Sequence, residues 1–306
     1  MPGRAIPRCF SVLIATLFFV SLARSATNDL HDAAFWKAIK ENNFAVPAHE
    51  SAGALALEIP VLAASTDPTL RDGCGYEILA AWVYRNHLLT PEQLESLRSK
   101  LLPAMTAHIG ESENDTVFGR SFSALYMSIL AAQDLRQPFL SDATFKQTLD
   151  VALRCYAEEK DLRGYVPIKG WAHATAHVAD LLKFLARSPH LSVEDQRRIV
   201  NAVAQRGRSA HLVFIWGEDA RMAATLLSIV DRKDFDASIF KTWFDSLIGE
   251  HNELWKSPTI EQQAYASVRV QTNVLAHLSA KCAAEKDQTA SANFREALSA
   301  ALTKLD

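Results

Sequence analysis

One helix-to-helix junction recurs four times along this chain, and it narrows the possible folds more than any other feature. It reads RNHLLTPEQ at residues 85–93, RQPFLSDAT at 136–144, RSPHLSVED at 187–195 and RKDFDASIF at 232–240. The leading arginines, Arg85, Arg136, Arg187 and Arg232, are spaced 51, 51 and 45 residues apart. Each copy begins with a basic residue, which the dipole favours at the end of a helix. An apolar residue and a capping residue follow: Leu89-Thr90, Leu140-Ser141, Leu191-Ser192 and Phe235-Asp236. The residue four past the cap is apolar in three copies (Leu94, Phe145, Phe240), the signature of a hydrophobic staple that sets how the chain enters the next helix. Gln196 breaks the pattern in the third copy. Pro91 occupies the first helical position, where a missing N–H has no consequence.

The junctions divide the chain into two sets of predicted helices. Those after the caps, near 91–102, 142–158, 193–206, 237–250 and 290–304, carry charges interleaved with apolar residues at helical spacing, so one face is predicted to meet water. The others, near 68–86, 116–133, 170–187, 217–231 and 259–282, are richer in Ala, Leu and Ile and are predicted to be buried on most sides. An opening helix near 29–42 and one near 50–64, interrupted by Pro60, complete the count. No segment alternates with a period of two for more than a few residues, so no strand is predicted. The expected fold class is all-α. Two-helix units of about 40–50 residues have the size of HEAT-like or armadillo-like repeats. They are expected to form an α/α superhelix, as a solenoid or a partial toroid. Such units cannot bury their faces alone, so residues 28–306 read as one domain.

The leader is different in kind. Arg4 and Arg8 precede an apolar run from Cys9 to Val20, followed by small residues Ala23, Ser25 and Ala26. The run is too short for a comfortable membrane span. Residues 1–25 therefore read as a secretory signal peptide, an uncleaved anchor being the alternative. Export to a periplasmic or extracellular space is expected, with no stable membrane span after cleavage. Cys74, Cys155 and Cys282 then remain, far apart and without a CxxC pair, which fits small buried hydrophobes better than a disulfide framework or a zinc site. One bridge in an oxidising compartment stays open.

Charge removes further classes. With 32 basic and 35 acidic residues the net charge is -3, so no footprint for nucleic acid or for an anionic membrane is visible. Phosphate-cradling glycine loops and GxSxG elbows are lacking. Asn114-Asp115-Thr116 is a glycosylation sequon that matters only in a eukaryotic secretory route.

The apolar helices each open on a polar cluster: Arg71 and Asp72; Asp115, Arg120, Ser121 and Ser123; Trp171, His173 and His177; Glu218, Asp219 and Arg221; Arg269, Gln271 and Asn273. In stacked repeats equivalent positions lie side by side, so these clusters could form a polar stripe on a concave face, the usual binding surface of repeat proteins. They could equally be caps and inter-helix ion pairs. The most pointed signal is KGWAHATAHVADLL, residues 169–182. His173, His177 and Asp180 fall within a sector of about 60° on one helix face. Two imidazoles and a carboxylate could hold a divalent metal, with Asp115, Glu218 or Asp219 completing the shell, or work as an acid and base. Position 174 is Ala, so the HExxH metalloprotease pattern is absent. Trp171 would add an aromatic platform or a core side chain.

Five stretches together resemble a bacterial family known as domain of unknown function 2785: FWKAIKENNFAVP (35–47), DPTLRDGCGYEILAAWV (67–83), DTVFGRSFSALYMSIL (115–130), DLRGYVPIKGWAHATAHVADLL (161–182) and GEDARMAATLLSIV (217–230). The likeness runs from about residue 33 to 285. It implies a helical, repeat-like fold of bacterial origin and carries no activity or catalytic residue; an export leader departs from what the family leads one to expect. The residues themselves favour a module that binds a peptide, a protein or a cell-wall ligand. A hydrolase acting on a carbohydrate or small polar substrate, with or without a metal and centred on His173 and His177, is the alternative.

Overall fold

The structure is a computed structural model that describes Gly3, residues 30–284 and residues 291–306. Apart from Gly3, the segment 1–25 read as a signal peptide lies outside the described residues. The chain divides into two compact units, Met1–Leu30 and His31–Asp306, and every element below belongs to the second.

That unit is helical almost throughout. Helix α1 (Ala33–Glu41) starts where Asp32 accepts a hydrogen bond from the Phe35 N–H at 2.9 Å. Helix α2 (Ala52–Ala56) is short, and the chain tightens into a 3₁₀ segment, Ile59–Ala64, at Pro60, the interruption expected there. Next comes a continuous run in which Thr69–Tyr76 and Ala80–Arg85 are wound wider than an α-helix, around the turn α3 (Glu77–Leu79). Gly75 permits its approach to the helix Thr116–Asp134, because a β-carbon there would lie 2.0 Å from the Tyr126 hydroxyl.

The predicted caps are all in place. Thr90 accepts from Gln93 N–H before α4 (Pro91–Ala104), and Gln93 returns the bond to complete a capping box. Ser141 does the same with Thr144 before α6 (Asp142–Glu158). Ser192 caps α8 (Val193–Arg208) through Asp195 N–H. Asp236 accepts from Ser238 N–H ahead of the 3₁₀ turn Ala237–Phe240, which leads into α10 (Lys241–Lys256). Each cap is worth about 1 kcal/mol. One staple forms as a direct contact, the Phe235 and Phe240 rings meeting edge to face at 6.0 Å, and the residues of the other two, Leu89 with Leu94 and Leu140 with Phe145, are buried in the same core.

Between these helices run α5 (Thr116–Asp134), α7 (Ala174–Ala186), α9 (Glu218–Val230) and α11 (Gln262–Ala284). They form a packed row, α5 on α7, α7 on α9 and α9 on α11. Every residue of α5 from Arg120 to Asp134 is buried, as expected of a helix covered on all sides. On the water side α4 packs on α5, α6 on α7 and α8, and α12 (Ala292–Thr303) on α11. No described helix is long and apolar enough to cross a membrane. Cys74, Cys155 and Cys282 are buried in the core and none is in a disulfide. Burial pushes the Cys155 thiol up to about 12, which makes it chemically inert.

One element corrects the sequence reading. Tyr165–Val166 (β1) pairs antiparallel with Gly170–Trp171 (β2), in the register Tyr165 to Trp171 and Val166 to Gly170. The helix expected from 170 therefore begins only at Ala174. Two-residue strands are too short to show alternation, and the hairpin is held from outside. The buried Arg71 guanidinium donates to the carbonyls of Lys169 and Trp171, at 2.5 and 3.2 Å. Lys169 Nζ reaches Asp115 at 2.7 Å, and Val166 packs on a small cluster of Val117, Phe118, Ala172 and Ala174.

Candidate functional site

The hairpin, the wide-wound helix and the start of α7 enclose a cavity of about 440 Å³, a size suited to a small ligand. Asp72 and Tyr76, four residues apart, come from the wide-wound helix. Leu125 and Ser128 come from α5, Trp171 from the hairpin, and His173, His177, Asp180, Lys183 and Phe184 from α7. Trp216 and Arg221 close the far side, from the 209–217 loop and α9.

The spacing of His173, His177 and Asp180 thus places all three on one cavity wall. His177 is the best-defined group. Its Nδ1 lies 2.7 Å from Ser121 Oγ, and the single hydroxyl hydrogen of Ser121 is donated to the Ala172 carbonyl. The imidazole must then donate from Nδ1, which leaves the lone pair on Nε2. Ser121 is thereby a positioning group and not a nucleophile, because its proton is committed to the backbone. Burial, reinforced by His173 and Arg221, pushes His177 well below the usual histidine range, so the ring is neutral.

His173 stands at the N-terminus of α7 in left-handed backbone conformation, φ 51°, with its N–H bonded to the Arg163 carbonyl. Its ring stacks on Trp171 at 4.9 Å between centroids. Burial, then the charge of Arg221, lowers it to about 4. Its Nε2 lies 3.6 Å from Glu218 Oε1, too long for a hydrogen bond, and is buried without a hydrogen-bond partner among the described residues. The Glu218 carboxyl is raised by burial, and Oε2 accepts from the Trp216 N–H at 3.0 Å. Glu218 therefore fixes the loop that carries Trp216.

The acids divide by surroundings. Asp180 is ion-paired with Lys183 Nζ at 3.1 Å and with the Arg221 guanidinium. The Asp72 carboxyl makes no hydrogen bond or ion pair among the described residues. Burial raises its carboxyl, with the like charge of Glu77 adding to the effect and Arg71 and Lys40 opposing it. Tyr76 is raised by burial and then by the charges of Asp180 and Asp72, which puts its hydroxyl within the field of both acids.

Four candidates lie elsewhere or serve the frame. Arg120 is fully buried in an ion pair with Glu159 and faces no cavity. Asp115 pins the hairpin through Lys169. Asp219 sits 3.7 Å from His277 on α11, and Glu218 supports Trp216 from behind. With His177 bonded to Ser121 and Asp180 to two cations, among the described residues no group of three or more His, Cys, Asp or Glu is arranged to hold a metal ion. A larger cleft, about 710 Å³, opens beside α10 and α11, but its Glu250 is already paired with Arg208 at 2.8 Å and with Gln271 at 3.0 Å.

Sequence reading missed Tyr76, Lys183 and Trp216. Two carried a signal: Tyr76 is four past Asp72 and Lys183 three past Asp180, so each shares a helix face with its acid. Trp216 had none beyond its place before Gly217, which opens α9 at φ 85°.

These features define a class: a helical protein in which one short hairpin and one loop wall a charge-balanced pocket. The chain belongs to the family described as Protein of unknown function (DUF2785), whose model matches residues 105–279, more than half its length. The matched span includes every pocket residue except Asp72 and Tyr76. No curated protein matches the chain, and no solved structure matches it.

Proposed function

We propose that the chain is an exported helical-repeat protein whose site for a small polar ligand is the cavity between Asp72 and His177. One observation carries the reading: residues from six separate segments converge on a single cavity in which the Asp72 carboxyl and His177 Nε2 have no partner among the described residues. Polar groups left uncommitted at a cavity wall are available to fix the orientation of a ligand. The row α5, α7, α9 and α11, with α4, α6 and α8 outside it, supports the two-helix superhelix as the frame.

Intrinsic fluorescence tests the site, because Trp171 and Trp216 line it. A panel of sugars, amino acids, dicarboxylates and phosphates titrated into the protein should contain a compound giving a saturable change. Asp72→Asn and His177→Gln should weaken that response at least tenfold with little change in melting temperature. A panel without any saturable response, or one whose responses ignore both substitutions, would remove the cavity as the site.

Hydrolysis is the second reading, favoured by the division between Asp72, held toward its protonated form, and Asp180, paired with two cations. Acid and base roles follow such divisions. Turnover of a bound ligand that stops in Asp72→Asn, with binding kept, would favour it over the binding module.

The exported form rests on the charged, apolar and small-residue order of segment 1–25. N-terminal sequencing of protein recovered from outside the cytoplasm should start near Ser25 or Ala26. An intact Met1 in a cytoplasmic fraction refutes export.

A further inference from the structure

We infer, resting on the cavity as the ligand site, that it takes a neutral saccharide. Charge is the first argument. The ionisable walls are Asp72 and Asp180 against Lys183 and Arg221, and Asp180 bridges both cations. An anion must compete with Asp180 for these cations, and a cation must either compete with them for Asp180 or meet Asp72, whose carboxyl burial holds toward its neutral form. A neutral ligand leaves the bridge standing.

Hydrogen-bonding capacity is the second argument. The groups left over are the Asp72 carboxyl, the Tyr76 hydroxyl and His177 Nε2, which can only accept. They ask for several adjacent O–H groups that both donate and accept. A purely apolar ligand would strip water from all three and replace none of the bonds. Burial holds the Asp72 carboxyl toward the form that can also donate.

The aromatic wall is the third argument. Trp171 and Trp216 stand at 79° to each other with centroids 5.7 Å apart, and Trp216 is half exposed. An indole is an apolar plate with a polar N–H edge, which suits a sugar ring, whose C–H face is apolar and whose rim is hydroxylated. The placement of Trp216 is built in two ways. Glu218 accepts its backbone N–H, and its ring closes against Gly164, where a β-carbon would come 2.0 Å from Cδ1. Glycine at 164 is thus a specificity feature: any side chain there lifts the plate.

The test titrates the full chain with glucose, N-acetylglucosamine, cellobiose and maltose, against glucuronate, glycylglycine and inorganic phosphate, by calorimetry and tryptophan fluorescence. At least one neutral saccharide should bind saturably, and raising salt from about 0.05 to 0.5 M should leave its affinity within twofold, since no charge is screened. Gly164→Ala and Trp216→Ala should each weaken that saccharide at least tenfold while melting stays within a few degrees; Trp216→Ala keeps the test valid if Gly164→Ala folds poorly. Binding by glucuronate, glycylglycine or phosphate alone overturns the saccharide and leaves the cavity as a site. Saccharide binding indifferent to both substitutions overturns the placement. Silence from every probe overturns both readings.

Discussion

Glu159→Ala should lower stability by about 3–5 kcal/mol, the range seen when one partner of a buried ion pair is removed. Both partners are almost fully out of water, and the contact is two-pronged: Arg120 Nε to Oε2 at 2.6 Å and Nη2 to Oε1 at 3.1 Å. Removing the carboxylate strands a guanidinium that cannot discharge. The remaining donors of Arg120 hold the carbonyls of His108 and Glu111, and Glu159 also receives the Asp161 N–H, so the pair ties α5 to the turns on both sides. Arg206 donates to the Glu159 and Tyr156 carbonyls and brings the end of α8 into the same knot. In a unit of this size the loss corresponds to a fall of roughly 6–20 °C in Tm, read by calorimetry or circular dichroism. Arg120→Met combined with Glu159→Leu should recover part of it, because no charge is stranded, though not the carbonyls that Arg120 served. By contrast Lys241→Ala, which removes an exposed pair with Asp245, should cost under about 1 kcal/mol. Equal effects from Glu159→Ala and Lys241→Ala would show that the buried pair is not the knot described.

Arg120 also shows where sequence reading stops. A charged residue among apolar ones at helical spacing looks the same whether it faces solvent or meets an acid 39 positions later. Its partner is set by the turn after α6, and nothing near position 120 encodes it. The helix starts were legible because their causes are local: Thr90, Ser141, Ser192 and Asp236 each satisfy an N–H two or three residues on. The HxxxHxxD face was legible for the same reason, since a helix puts those side chains on one side regardless of context. The hairpin was not. Its strands have two residues each, and its stability lies in Arg71 and Asp115, which stand 98 and 54 residues before Lys169. The cavity inherits both kinds of information. His173, His177 and Asp180 could be read along α7, whereas Trp216 needed Gly164 and Glu218 to place it.

Acid should destabilise the fold well before its carboxylates titrate in bulk, through His173 and His177. Both have folded-state affinities for a proton below the ordinary histidine value, so the unfolded chain binds protons first as pH falls. Their contribution is fully present above about pH 6.5 and is lost as pH drops toward 4, where His173 titrates in the fold. A depression from 6.5 to about 4 is worth on the order of 3 kcal/mol for His173, and His177 extends the loss to lower pH. The groups around them act in both directions. Arg221 opposes a charge on either ring, and Asp180 favours one on His173. The raised carboxyls of Glu218 and Asp72 take up protons in the folded state first, so they return some stability over the same window. His173→Phe separates these contributions, because it keeps a ring against Trp171 and removes the titration. Denaturant midpoints measured from pH 7.5 to 4 should fall for the wild type. In the variant they should fall by about one proton's worth less, roughly 1.4 kcal/mol per pH unit between 6 and 4.5. The fall that remains belongs to His177, offset in part by Glu218, so His173→Phe/Glu218→Gln should fall more steeply than His173→Phe. Parallel curves for wild type and His173→Phe would mean that His173 takes up its proton in the folded protein as readily as in the unfolded chain, and the depression would be refuted.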